Sequence, residues 1–88
     1  MILEKVYVIA FESTHYAMAA EKTLREKEYD FDTIPTPREI SVSCGLSIMF
    51  EKPLLKDISR DMIENKIKIE GIYEIRRKDR LKIVKQIQ

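Results

Sequence analysis

The hydrophobic and polar positions along the chain change period several times, and each period predicts one kind of element. Residues 3–10 end in a continuous apolar run rich in β-branched residues, which predicts a strand buried on both faces. Residues 29–34 and 45–51 place apolar side chains at every second position, the pattern of a half-buried strand. A fourth strand is predicted at residues 71–76, and residues 67–69 lead into it.

Two other segments show helical spacing. Ser13 and Thr14 are favoured N-cap residues, and the pattern that follows them extends to Lys27. Its inward positions are Ala17, Ala20 and Leu24. Pro53 suits the first turn of a second helix over residues 54–65. The apolar stripe predicted for this helix contains Leu54, Leu55, Ile58, Met62 and Ile63, and Asn65 is its predicted C-cap.

The resulting order, β-α-β-β-α-β, predicts an α+β fold of the ferredoxin-like kind. In that architecture a four-stranded antiparallel sheet has the strand order 4-1-3-2 and carries both helices on one face. We expect this domain to span residues 1–76. The loop after strand 1, the loop between strands 2 and 3, and the connection into strand 4 then share one end of the sheet.

Charge divides the chain into two unequal parts. Residues 1–75 contain 10 Lys/Arg and 14 Asp/Glu, a net charge of −4, whereas residues 76–88 contain 6 Lys/Arg and 1 Asp, a net charge of +5. We describe residues 77–88 as a basic C-terminal tail. Its apolar residues fit a helical stripe (Leu81, Val84 and Ile87) and also a strand (Leu81 and Ile83).

A basic tail can contact nucleic acid or an acidic partner, or it can simply form a solvated last element. Exposed aromatic residues are not interleaved with the basic ones, and the rest of the chain is acidic. We therefore do not expect a nucleic-acid partner. No apolar run approaches the roughly 18 residues of a membrane helix, so a membrane partner is not expected either. The single cysteine cannot form an internal disulfide, which favours a cytoplasmic location.

The chain's one cysteine lies in the segment 35–45, the predicted loop between strands 2 and 3. This loop is expected to pack against the N-terminus of the first helix, which would place the Cys44 sulfur within about 10 Å of that turn. The groups predicted to converge there are Cys44, Arg38, Ser41, Ser43, Gly45, Ser13, Thr14 and His15. A helix N-terminus and a nearby arginine both lower a thiol pKa and make the thiolate a better nucleophile. Gly45 is expected to adopt a left-handed conformation that leaves the thiol accessible.

Each of these residues also has a structural interpretation. Cys44 can be a small buried hydrophobic residue and His15 an ordinary surface residue, while Arg38 and Glu39 can interact with each other or with water. One cysteine and one histidine fall short of the ligand set of a structural zinc, and no glycine-rich phosphate loop is present. We therefore expect neither a metal nor a cofactor. The small size of the chain also argues against a protease cleft.

Residues 8–24, "VIAFESTHYAMAAEKTL", and the later "IPTPREISVSCGLSIMF" resemble a family of small bacterial domains described as selenium/sulfur carrier protein-like. The resemblance runs from about Val6 to Tyr73. It implies that Cys44 carries sulfur or selenium as a persulfide or selenopersulfide. It also implies two protein partners, a cysteine desulfurase-like donor and an acceptor, and a transfer protein in place of an enzyme. Members often carry a glycine where the first helix ends; here this region reads Lys27, Glu28 and Tyr29.

A second class of function stays open. The loop could hold a small anion or a protein partner while Cys44 has only a structural role, because ferredoxin-like domains serve both kinds of function. The reactivity of the thiol distinguishes the two. A carrier needs an accessible thiolate, whereas a structural cysteine reacts only after denaturation.

Overall fold

The structure is a computed structural model that describes residues 4–42, 45–78 and 80–88. It contains two α-helices and five strands in the described ranges. In chain order the elements are β1 (Glu4–Phe11), α1 (Thr14–Glu26), β2 (Asp32–Pro35), β3 (Leu46–Phe50), a 3₁₀ turn (Lys52–Leu54), α2 (Leu55–Glu64), β4 (Ile69–Lys78) and β5 (Leu81–Gln86). The fold is therefore α+β, as the order of apolar patterns predicted.

The five strands form one antiparallel sheet in the order β2-β3-β1-β4-β5. The first four strands have the predicted order, but the prediction of a four-stranded sheet is wrong. The strand β4 continues to Lys78 and so passes the predicted domain boundary at residue 76. The chain then returns along β4, with Ile75 opposite Val84 and Arg77 opposite Lys82, and adds the fifth strand. Most of the basic segment is thus part of the sheet.

The hydrophobic core lies between the sheet and the two helices. Alternate residues of β1, namely Tyr7, Ile9 and Phe11, face this side, together with Ile48 and Phe50 of β3. The helices contribute Ala17, Ala20 and Leu24 from α1 and Ile58 and Met62 from α2. Both helices therefore pack on one face of the sheet, as predicted, and we call it the helix face.

Both helices end in the same way. The N–H of Tyr29 donates to the Leu24 carbonyl at 3.1 Å, and the N–H of Ile67 donates to the Met62 carbonyl at 2.9 Å. These are the long hydrogen bonds of the Schellman motif, which requires a left-handed residue one position earlier. That residue is Glu28 (φ 61°) after α1 and Lys66 (φ 57°) after α2. The motif also explains why β2 begins at Asp32 instead of residue 29, since Tyr29 still belongs to the helix end.

The prediction that Ile63 lies in the core is wrong. Ile63 is 72% exposed, whereas Asp61 is only 1% exposed. Asp61 follows Ile58 by three positions and shares its face of α2, while Ile63 lies one position beyond that stripe. The Lys27 Nζ donates to Asp61 Oδ1 at 2.8 Å and compensates the buried charge. Burial alone would raise the pKa of Asp61, but the interactions with Lys27 and Tyr29 hold it below its usual value.

The opposite side of the sheet, which we call the helix-free face, presents the other alternate residues of the strands. It includes Val6 and Val8 of β1, Met49 of β3 and Ile75 of β4. Val8 is fully buried although no helix covers this face. It borders a cavity that Pro37, of the loop between β2 and β3, and Lys82 of β5 also line.

Gly71 permits a close approach where β4 begins. A Cβ atom at this position would lie 2.8 Å from Gln86 Nε2 and 3.0 Å from the Gln88 carbonyl oxygen. The same region pairs the N–H of Ile72 with the Gln88 carbonyl at 2.9 Å. Glycine therefore lets the residues after β5 continue along β4.

Candidate functional site

The N-terminus of α1 is capped as the sequence predicts. Ser13 has an extended backbone (φ −155°, ψ 163°), and its Oγ accepts a hydrogen bond from the N–H of Tyr16 at 3.4 Å. This side chain satisfies one of the free N–H groups of the first turn. Thr14 and His15 follow on the exposed surface, and the His15 ring lies edge-on to Tyr16 at a centroid distance of 6.1 Å.

Gly45 connects the predicted loop to this helix end. A Cβ atom built on Gly45 would lie 3.6 Å from Thr14 Oγ1, and its carbonyl accepts a hydrogen bond from the N–H of Thr36 at 3.2 Å. The residue directly after Cys44 in the sequence is thus placed beside the first turn of α1. The position of Gly45 therefore agrees with the topology-based prediction that the loop lies at this end of the sheet.

The predicted left-handed conformation of Gly45 is wrong. Its φ is not positive, and the 3.6 Å separation from Thr14 is an ordinary van der Waals contact. The reason is the continuation of strand pairing: Pro35 lies opposite Leu46, and the Thr36–Gly45 hydrogen bond extends the β2–β3 ladder by one more pair. Gly45 therefore continues the extended pairing of β2 with β3, in a conformation that other residues can also adopt.

The loop itself is held by local hydrogen bonds. The N–H groups of Ile40 and Ser41 both donate to the Pro37 carbonyl, at 3.0 and 3.2 Å. The Thr36 and Ser47 hydroxyls are 2.6 Å apart, and Ser47 is fully buried. Pro37 is the first residue of this turn and contributes its carbonyl as the acceptor of both hydrogen bonds.

A hollow of about 420 Å³ lies along this loop. It is lined by Pro35, Thr36, Arg38, Ser41, Val42 and Gly45. Three predicted site residues, Arg38, Ser41 and Gly45, therefore border one space, and Gly45 also contacts Thr14 of α1. Arg38 is exposed, so its guanidinium is available to an anion in solvent. The predicted site residues Ser43 and Cys44 lie outside the described residues.

The middle of the loop lies over the helix-free face. Glu39 Oε2 accepts a hydrogen bond from Lys82 Nζ of β5 at 3.3 Å, and Pro37 borders a cavity on that face. The alternative pairing of Glu39 with Arg38 is therefore wrong. A hydrogen bond from its own backbone and then the interaction with Lys82 lower the pKa of Glu39. Gly45 makes the expected contact with α1.

Lys82 is a residue that sequence reasoning missed. It lies 43 positions from Glu39 in the chain and at the opposite edge of the sheet. A strand interpretation of residues 81–86 would have placed Lys82 on the same face as Val84, opposite the helices. The basic charge of residues 77–88 was the available signal, since it offers cations to the acidic part of the chain.

The chain belongs to the family described as "Putative Se/S carrier protein-like", whose model matches residues 6–74. The match begins in β1 and ends within β4, so it contains α1, the whole loop and α2. The strand β5 lies outside it. No curated protein and no solved structure matches the chain. Within the described ranges, no helix has the length and apolar character required to cross a membrane.

Proposed function

We propose that this protein carries sulfur or selenium on Cys44 as a persulfide or selenopersulfide. The observation that carries the proposal is the 3.6 Å separation between the Gly45 Cβ position and Thr14 Oγ1, beside the first turn of α1. Membership in the family supports it, because the match includes the segment that contains the chain's only thiol. Two neighbours of Cys44 in the sequence are exposed. Val42, two residues before Cys44, is 90% exposed, and Gly45, directly after Cys44, is exposed as well.

The transfer step requires only one thiol on this chain. The Cys44 thiolate attacks the outer sulfur of a donor persulfide, a new S–S bond forms at Cys44, and the donor S–S bond breaks. The donor leaves as a thiolate, so the reaction exchanges one persulfide for another without net oxidation. The acceptor protein repeats the same exchange with Cys44 as the donor. Selenium follows the same scheme with a selenopersulfide.

The surroundings of the loop suit an anionic sulfur. The first turn of α1 provides N–H groups and a partial positive charge, and Arg38 provides a mobile cation at the edge of the hollow. Both favour a thiolate over a thiol and a persulfide anion over its acid. Ser41 also borders the hollow.

The proposed partners are a cysteine desulfurase-like donor and an acceptor protein, both in a reducing cytoplasm where persulfide exchange operates. In this scheme the protein delivers a group that the desulfurase has released, so it is a transfer protein and not an enzyme. The absence of a second cysteine suits this role, because no resolving thiol can expel the carried sulfur within the same chain.

The test is an intact-mass measurement after incubation with a cysteine desulfurase and free cysteine. We expect the mass to increase by one sulfur atom, the increase to disappear on reduction, and Cys44→Ser to remain unmodified. Arg38→Ala should slow the modification, whereas Arg60→Ala, at an exposed arginine of α2, should not. A chain that stays unmodified while the desulfurase turns over would contradict the proposal.

The alternative is an anion- or protein-binding module in which Cys44 is structural. The hollow lined by Arg38 and Ser41 favours it, since both residues can contact an oxyanion. In that case sulfate should bind equally well to the native chain and to Cys44→Ser, and iodoacetamide should alkylate Cys44 only after denaturation. Rapid alkylation of the folded protein with a thiol pKa below about 8.5 supports the carrier instead.

A further inference from the structure

A second cavity, on the helix-free face, has no role in the proposed persulfide exchange. Its volume is about 310 Å³, at the lower end of the range in which small-molecule sites fall, about 300–1,000 Å³. All five strands and the loop between β2 and β3 contribute to its walls. The apolar lining consists of Val6, Val8, Ile34, Pro37, Met49 and Ile75.

Two cations border this apolar space. Arg77 of β4 and Lys82 of β5 lie opposite each other in neighbouring strands, on the same face as the cavity. Lys82 binds Glu39 at 3.3 Å. Arg77 is exposed, and a guanidinium carries five N–H donors that a ligand can accept from.

We propose that this cavity binds a small apolar molecule with one anionic head group, such as a medium-chain carboxylate. The apolar part would contact Val6, Met49 and Ile75, where it removes apolar surface from water. The carboxylate would accept hydrogen bonds from Arg77, whose planar donors match its geometry. A small molecule suits the space better than a flat protein surface, because Pro37 and the two long cationic side chains enclose the cavity at its sides.

The two cationic residues lie beyond the part of the chain that the family model matches. The family match ends at residue 74, so it contains the apolar lining except Ile75 but neither Arg77 nor Lys82. The site also touches the cysteine-bearing loop through Pro37. A bound carboxylate at Lys82 would compete with Glu39, so ligand binding should loosen the loop. The site does not depend on the chemistry of Cys44.

The experiment is a titration of the full chain with octanoate, octanol and acetate, followed by methyl chemical shifts in NMR spectra. We expect octanoate to shift the methyl signals of Val6, Ile34, Met49 and Ile75. Octanol should bind about tenfold more weakly because it lacks the charge, and acetate should not bind because it lacks the apolar part. Cys44→Ser should bind octanoate like the native chain.

Arg77→Gln should weaken octanoate binding about five- to tenfold and leave octanol binding unchanged. The matched control is Lys85→Gln, which removes an equal charge from β5 at a position opposite Glu74, on the helix face. It should not change either affinity. Equal affinities for octanoate and octanol, equal losses in both variants, or shifts confined to other residues would each overturn the proposal. Because Arg77 is exposed, its substitution should leave the fold intact.

Discussion

The two faces of the sheet are closed in different ways, although β1 contributes apolar residues to both. On the helix face, Ile9 and Phe11 are completely buried against complementary side chains of α1 and α2. On the helix-free face, Val8 is as well buried, but a loop and two cationic side chains surround a space that protein atoms do not fill.

This difference separates stability from candidate function. A close-packed apolar layer contributes most of the folding free energy, and it tolerates little change of volume. A face with a cavity, exposed cations and an overlying loop contributes less but can admit a ligand. The cysteine-bearing loop contacts both regions, with Gly45 beside α1 and Glu39 bound to β5.

The largest effect on the free energy of unfolding is expected from truncating buried side chains, and it should differ between the two faces. Leu24→Ala removes a fully buried side chain of the helix face and should lower the free energy of unfolding by about 2–5 kcal/mol. Met49→Ala removes a half-buried side chain that borders the existing cavity, so its cost should be about 1 kcal/mol. Urea unfolding measures both. Equal losses would mean that the two faces are packed alike.

The second prediction concerns the ion pair between the helices. Lys27→Met leaves Asp61 buried without its cation and should destabilise the protein by about 1–3 kcal/mol near neutral pH. Lys22→Met, at an exposed position of α1, is the control and should have little effect.

The pH dependence of these variants follows from the sign of the shift. In the native chain the lowered pKa of Asp61 contributes stability above its ordinary value of about 3.8, and this stability is lost as pH falls through the lowered pKa. In Lys27→Met burial should raise the pKa of Asp61. Protonation of Asp61 at acidic pH then removes the uncompensated buried charge from the variant. The difference in stability between the two chains should therefore shrink at acidic pH. A constant difference from neutral to acidic pH would contradict this account.

The third prediction tests the helix ends that support the helix face. Glu28→Gly and Lys66→Gly should each stabilise the protein by about 0.5–1 kcal/mol, since glycine adopts positive φ without the cost that other residues incur. Glu26→Gly provides the control, because that residue is still helical and glycine there should destabilise by up to about 1 kcal/mol. Thermal unfolding distinguishes the stabilisation expected for Glu28→Gly and Lys66→Gly from the destabilisation expected for Glu26→Gly.

The smallest expected effect on stability concerns the contact between the loop and β5. Glu39→Gln should change the free energy of unfolding by less than about 0.5 kcal/mol, because both side chains are partly exposed. The amides of Ile40 and Ser41 should nevertheless exchange faster with solvent, and Glu70→Gln, an exposed acid of β4, should leave them unchanged.

The same contact should weaken as pH falls through the lowered pKa of Glu39, with the same acceleration of exchange. Unchanged exchange in Glu39→Gln would show that the local turn at Pro37 holds the loop by itself.

Local patterns along the sequence were sufficient to predict most of the architecture. The apolar run of β1, the Ser13 cap, the end of β2 at Pro35 and the C-cap at Asn65 all depend on neighbouring residues. Elements defined in this way, together with the handedness of β-α-β connections, determined the order of the first four strands. That order placed the loop of Cys44 at the end of the sheet where Gly45 meets Thr14.

Tertiary structure decided what local patterns left open. Residues 81–86 fit a helix and a strand equally well by periodicity, and the free edge of β4 selected the strand by offering backbone hydrogen-bond partners. Asp61 took a core position because Lys27, 34 residues away, compensates its charge. Glu39 found its partner across the sheet in Lys82 for a similar reason. Such pairings depend on distances in space between residues far apart in the chain, and a one-dimensional pattern carries no information about those distances.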